Sequence, residues 1–317
     1  MADISGDHPA LAGIPLVLGG NVFGWTIGRD TSFAVLDAFY EAGGRMIDTA
    51  EGYSNWVPGN KGGESEAIIG EWMESRGVRE DMRIGTKTGQ GGAPGALDPA
   101  KVRQALEGSL ERLRTDYVDL YYAHRDDGTT PLEEVAGVYG EIFRAGKARE
   151  LGASNYSAAR LAEVLATADR LGARPFSVLQ PLYNLVERKE YEGPLQDACL
   201  SHGIAVLPYY GLAAGFLTGK YNSAADWAGS SRAFSLDETA AHGGWSVLAA
   251  LREIAGELGT APAQAALAWL RARPGIAAPI ASATTPEQVT TLIEATHLNL
   301  APAQIDRLDR AQHQGAA

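Results

Sequence analysis

The chain has 317 residues, 45% hydrophobic and 21% charged, enough to bury a large core as one barrel or as two domains. Its 39 acidic against 27 basic residues give a net charge of −12, which disfavours nonspecific binding to nucleic acid or to anionic membranes. A single cysteine, Cys199, excludes an intramolecular disulfide and, set in a helical pattern, reads as a packed thiol.

The N-terminal run MADISGDHPA is polar and acidic, without the basic and apolar segments of a secretory leader. No stretch reaches the roughly 18 uninterrupted apolar residues of a spanning helix. A soluble, cytoplasmic protein is the expectation.

Short β-rich runs alternate with longer segments of helical period. Strands are expected at 16–20 (LVLGG), 45–49 (RMIDT), 82–87 (MRIGTK), 117–124 (YVDLYYAH), 148–154 (ARELGAS), 176–180 (FSVLQ), 204–210 (IAVLPYY) and 276–282 (IAAPIAS). Helices are expected at 32–43, 64–76, 98–114, 131–145, 157–171, 191–202, 245–272 and 286–296. In the third of these, Val102, Ala105, Leu106, Leu110 and Leu113 recur at helical spacing behind an Asp98 cap and Pro99 in the first turn.

Eight strand–helix pairs without an intervening linker predict parallel strands in one domain over 1–317. The strand ends choose between a doubly wound sheet and a barrel. Strand two ends in Asp48, three in Lys87, four in His124, five in Ser154-Asn155, six in Gln180, seven in Tyr209 and eight in Ser282. A doubly wound sheet draws on only a few strands at its switch point. A (β/α)8 TIM barrel brings every carboxyl end to one mouth, where active sites form. The barrel is therefore the predicted fold, with the long connections 54–63 and 221–244 as lids.

Asp48 closes an apolar strand, where an unpaired carboxylate would be costly. Lys87, at the end of the next strand, can supply its partner. Tyr53 lies just beyond Asp48, and a neighbouring ammonium is expected to bring its phenol below the ordinary value of about 10, making it a better acid. His124 can join the same cluster and orient a carbonyl oxygen. Taken singly, Asp48 reads as a cap, Lys87 as a snorkelling surface residue and His124 as a structural histidine. Set at adjacent strand ends, the four point to chemistry.

These residues resemble those of the aldo-keto reductases, and the resemblance runs nearly the whole length. The run D-T-A-x-x-Y (Asp48 to Tyr53), T-K at 86–87 and Y-x-H in strand four are similar to that family's Asp/Tyr/Lys/His tetrad. The blocks G-A-S-N (152–155), Q-P-x-Y-N (180–184), G-F-L-T-G-K-Y (215–221) and A-T-T-P-E-Q (283–288) resemble its cofactor-binding segments. The resemblance implies reduction of an aldehyde or ketone to an alcohol, with hydride from NADPH (NADH as a second candidate) and Tyr53 as the general acid. It implies Tyr209 against the nicotinamide, with Ser154, Asn155 and Gln180 on its carboxamide. Tyr210, Leu212, Gly215 and Lys220 would follow the pyrophosphate, and Ser282, Thr284 and Gln288 the adenosine ribose. Two departures stand out: Thr284 occupies a position often held by Arg or Lys, and Leu292 one often held by Asn. PYYGL (208–212) also replaces the commoner Y-S-P-L.

Two patterns are decoys. GQGGAPG (89–95) lacks the third glycine of a dinucleotide fingerprint, since residue 94 is Pro94. His124 with Asp126 and Asp127 lacks a second histidine on a neighbouring strand, so no metal site is expected. Trp25, Trp56 and Trp227 suggest an aromatic wall for a small carbonyl substrate. A nicotinamide-binding regulatory or sensor subunit on the same barrel is the alternative function.

Overall fold

The computed structural model describes residues 8–312. Eight strands form one parallel sheet: β1 (Val17–Gly19), β2 (Met46–Asp48), β3 (Arg83–Thr88), β4 (Val118–Ala123), β5 (Ala148–Ser154), β6 (Val178–Gln180), β7 (Ala205–Val206) and β8 (Ile280–Ala281). Their order is β7-β6-β5-β4-β3-β2-β1-β8. The two ends of that sheet also meet. Val206 N donates to Gly275 O (3.1 Å), Ala277 N to Val206 O (2.9 Å) and Ile280 N to Pro208 O (2.9 Å), so the curl closes into a (β/α)8 ring.

The helices are α1 (Arg29–Glu41), α2 (Glu64–Arg76), α3 (Pro99–Leu113), α4 (Leu132–Arg144), α5 (Ala158–Leu171), α6 (Pro194–His202), α7 (Ala233–Thr239), α8 (Trp245–Leu258), α9 (Pro262–Arg271), α10 (Pro286–Ala295) and α11 (Pro302–Ala311). Asp98 caps α3 as expected, accepting from Ala100 N and Lys101 N. The single helix expected over 245–272 is two. Gly259 takes a left-handed conformation (φ 64°) that ends α8, and Pro262, which cannot donate to a preceding turn, opens α9. The 221–244 connection is largely helical rather than irregular, and α11 lies outside the helices expected from periodicity.

Two apolar clusters divide the core. The larger lies between strands and helices. The smaller fills the ring itself with Val17, Met46, Leu120, Tyr122, Val178, Leu207 and Ile280, and is plugged by Leu11 and Ile14. The two-residue period of a strand decides what joins it. Met46 and Asp48 point inward while Ile47 between them points out to the helices. Tyr122 fills the ring because its neighbour on β5 is Gly152. A Cβ at Gly152 would sit 2.5 Å from the Tyr122 ring, whereas one at Gly85 would only touch Tyr122 (3.4 Å) and Asp48 (3.6 Å).

Candidate active site

Parallel register sets Asp48 beside Gly85 and Lys87 beside Tyr122, so both charged groups face the interior at the carboxyl end. Lys87 is 0% and Asp48 2% exposed. Lys87 Nζ donates to Asp48 Oδ2 (2.6 Å), to Thr49 O (2.6 Å) and to Tyr53 Oη (3.1 Å), which occupies all three of its protons. Gln180 Nε2 donates to the other oxygen, Asp48 Oδ1, at 2.8 Å. Burial by itself would discharge Lys87, but Asp48 and Tyr53 outweigh it and hold the ammonium above its usual pKa. A buried ion pair survives only with this degree of satisfaction.

The structure corrects the expectation for Tyr53. Its pKa is raised above 10, because burial outweighs the opposing pull of Lys87, and Asp48 adds to the rise. Tyr53 is thus a protonated donor over the neutral range. The loop that carries it is tied down on both sides. Glu51 accepts from Thr88 Oγ1 and from Gly89 N (3.0 Å), and Ser54 Oγ donates to Phe23 O (2.9 Å). Behind it, Ser65 of α2 bonds both Thr49 Oγ1 (2.8 Å) and Gly20 O (2.7 Å), locking the ends of β1 and β2 together. Sequence reasoning passed over Glu51 and Ser65. Glu51 lies inside the Asp48–Tyr53 run and could have been noticed, whereas Ser65 gave no signal.

His124 begins where β4 ends, its ring edge-on to Tyr53 with centroids 6.1 Å apart. Burial, reinforced by Lys87 and Arg125, lowers its pKa to about 3, so the imidazole is neutral. Its Nδ1 is buried without a hydrogen-bond partner among the described residues. The two aspartates that follow are committed elsewhere: Asp126 pairs with Arg160 (2.7 and 3.0 Å), and Asp127 accepts from Leu97 N, Thr129 N and Thr130 N.

Asp48, Tyr53 and His124 line one end of a cavity of about 870 Å3 that runs across the mouth. Ser154, Asn155, Gln180, Tyr209, Tyr210, Leu212, Gly215, Lys220, Ser282, Thr284 and Gln288 all line it, as do Trp25 and Trp56. Several are already engaged. Asn155 takes the left-handed conformation (φ 56°), donates to His124 O (3.0 Å) and accepts from Tyr209 Oη (2.8 Å). Ser154 Oγ donates to Gln180 O (2.8 Å), and the amide nitrogen of Gln180 is turned to Asp48. Ser282 Oγ donates to Asn21 Oδ1 (2.6 Å), directly over Gly19, where a Cβ would come within 2.5 Å of it. Gln288 Oε1 accepts from Thr284 N (2.8 Å) and Thr284 Oγ1 (3.1 Å) at the start of α10.

The connection after β7 is strained. Tyr210, Ala213 and Ala214 adopt positive φ (66°, 47° and 55°), a conformation that costs a non-glycine residue of order 1 kcal/mol and that gathers at ligand clamps. Arg232 from the same connection donates to Ala214 O (3.3 Å) and lies 5.4 Å over the Trp25 ring, bridging the lid to the loop after β1. Trp25 and Trp56 meet edge to face at 5.4 Å, and Trp56 meets Tyr53 at 6.2 Å, forming an aromatic wall. Trp227 does not belong to that wall. It is 2% exposed, stacked on Trp245 and bonded through Nε1 to Asp237, and so packs the lid rather than facing the mouth.

The parallel barrel thus holds, at its carboxyl mouth, a buried lysine–aspartate pair against a protonated tyrosine and a neutral histidine at the end of the cavity. The Aldo/keto reductase family model matches residues 15–313. The chain is 34% identical over 292 residues to a probable voltage-gated potassium channel subunit beta of Oryza sativa (87% of this chain, 85% of that one). It is 32% identical to protein tas of Escherichia coli (97% and 96%) and 30% identical to norsolorinic acid reductase B of Aspergillus parasiticus (94% and 80%). The chain belongs to the aldo/keto reductase family.

Proposed function

We propose that the protein reduces an aldehyde or ketone to an alcohol, with Tyr53 as proton donor and a reduced nicotinamide dinucleotide as hydride source. The observation that carries this reading is the Lys87 ammonium, held by Asp48 and 3.1 Å from Tyr53 Oη at the end of the cavity. The cavity suits a dinucleotide. It reaches from Asp48 and His124 to Thr284 and Gln288, is lined on the β5–β8 side by neutral hydrogen-bonding groups together with the cations Lys220 and Arg232, and holds Tyr210 Oη and His124 Nδ1 buried without partners among the described residues. Ser154, Asn155 and Tyr209 would hold the nicotinamide end, Lys220 and Arg232 the phosphates, and Ser282, Thr284 and Gln288 the ribose. When bound, the reduced dinucleotide supplies the hydride.

This chain's residues do the rest. His124, neutral, orients the carbonyl oxygen toward Tyr53. Tyr53 gives its proton to that oxygen as negative charge builds there, and Lys87 stabilises the phenolate left behind. Asp48 and Gln180 keep the lysine from turning away. The charge that was costly to bury is placed where the reaction makes its own negative charge. NADPH is the proposed cofactor and NADH a second candidate, since Thr284 and Gln288 offer a 2′-phosphate only neutral contacts.

A panel of aldehydes with NADPH and NADH tests this reading, and it fails if purified protein oxidises neither cofactor. A regulatory reading has one observation in its favour, the plant relatives named as probable potassium channel subunits. Tight cofactor binding without turnover would support it.

A further inference from the structure

In a chain of net charge −12, the mouth is lined by cations. The carboxylate lining the cavity, Asp48, is neutralised by Lys87, whereas Arg125, Lys220 and Arg232 also line it. Lys220 and Arg232 follow β7, on the side proposed for the cofactor phosphates. Lys220 Nζ lies against Gly215, 3.2 Å from where its Cβ would be. Arg125 stands apart from them, after β4 and three strands around the ring, beside His124.

Arg125 also lacks an internal role. The carboxylates next to it in sequence are taken, Asp126 by Arg160 and Asp127 by the backbone of 97, 129 and 130. Among the described residues Arg125 makes no ion pair. Its stem is nonetheless placed. It lies on Gly92 of the glycine-rich loop after β3, where a Cβ would meet Arg125 Cδ at 2.6 Å and Cγ at 2.9 Å. Its positive charge is felt at the cavity, where it opposes protonation of His124 and helps to counter the effect of burial on Tyr209. The glycine-rich loop, which is no dinucleotide fingerprint, thus has a use: it brings a guanidinium to the mouth with room for the stem.

Resting on the carbonyl-reductase reading above, we propose that Arg125 is a specificity-determining residue that binds a carboxylate on the substrate. The favoured substrate class is an aldehyde or ketone whose apolar or aromatic body lies against Trp25 and Trp56 and carries a carboxylate that reaches Arg125. A planar guanidinium fork matches a carboxylate in two hydrogen bonds, which a lysine cannot do.

The test is steady-state reduction of 4-carboxybenzaldehyde and 4-methylbenzaldehyde, a pair of similar shape that differs in charge, by wild type, Arg125→Gln and Arg125→Lys. Wild type is expected to favour the carboxylate by about 10-fold in kcat/KM, mostly through KM, and to lose that preference as ionic strength rises. Arg125→Gln should collapse the ratio to near unity, and Arg125→Lys should fall between. Equal losses on both aldehydes in Arg125→Gln would make the residue structural and overturn the proposal, as would a wild type without charge preference. Should wild type reduce neither aldehyde, the reductase reading fails on its own. The anion site is then judged by calorimetry with 4-methylbenzoate, and equal or absent binding in wild type and Arg125→Gln overturns it.

Discussion

The β2–β3 side of the mouth and the β7–β8 side solve opposite problems. On the first, charge is buried completely and the ion pair is fully matched: Lys87 spends its three protons on Asp48, Thr49 and Tyr53, and Gln180 covers the remaining oxygen of Asp48. On the second, the lining is partly exposed and mixes neutral groups with Lys220 and Arg232, Tyr210 Oη has no partner among the described residues, and the backbone bends through positive φ. The difference teaches where rigidity is needed. In the proposed mechanism the proton donor must be in place before substrate arrives, and the ammonium beside it has all its hydrogen bonds made in advance. A surface that receives a large ligand keeps its hydrogen-bonding capacity open.

The largest effect should come from breaking the closed side. Lys87→Met is expected to destabilise the fold by about 3–5 kcal/mol, because Asp48 stays buried without its cation. Adding Asp48→Asn should return most of that stability, read from denaturant midpoints, while activity stays lost. Additive losses would show that the two residues do not act as a pair.

Tyr53→Phe removes only the donor. A loss of about 100-fold or more in kcat is expected, with cofactor affinity kept, measured by steady-state turnover and by tryptophan quenching. Wild-type turnover would remove Tyr53 from the mechanism.

Titration gives a smaller, pH-bound signature. His124 is depressed to about 3 in the fold, against about 6.5 in an unfolded chain. Between those values the unfolded chain takes a proton that the native state refuses, so stability falls as pH drops, by at most about 1.4 kcal/mol per pH unit. His124→Asn should flatten that slope between pH 6 and about 4. With Tyr53 raised above 10, kcat/KM for an uncharged carbonyl should show no titration step near pH 6.5. A step there would mean that His124 ionises in the free enzyme.

The open side should respond most mildly. Thr284→Arg places a cation beside Gln288 and is expected to tighten NADPH about 10-fold while leaving NADH nearly unchanged. If wild type already binds NADPH several hundredfold tighter than NADH, Arg232 or Lys220 meets the 2′-phosphate instead.

The legible part of this protein was whatever local pattern encodes. Alternating β-rich and helical segments gave the barrel, and the strand-end rule gathered Asp48, Lys87, His124, Ser154, Gln180 and Tyr209 at one mouth. The strand period put Asp48 inside with Met46. The misreadings were non-local. Helical periodicity ran through Gly259 and Pro262 because apolar spacing persists across the break. Trp227 looked like a pocket residue because a tryptophan in a lid has the same local sequence context whether it faces the ligand or its own packing partner Trp245.

Sequence alone determined the fold class, the chemical groups at the mouth and the pairing of Lys87 with Asp48, because these follow from period, strand order and the cost of burying an unmatched charge. Only the tertiary structure decided which of those groups are free. Gln180 turns its amide to Asp48, burial overrides Lys87 in setting Tyr53, and Arg125 is left open because Asp126 and Asp127 are claimed by Arg160 and by the loop backbone. Each of these outcomes is a competition among partners brought together from distant parts of the chain, and a competition is settled by distances and burial that no single segment carries.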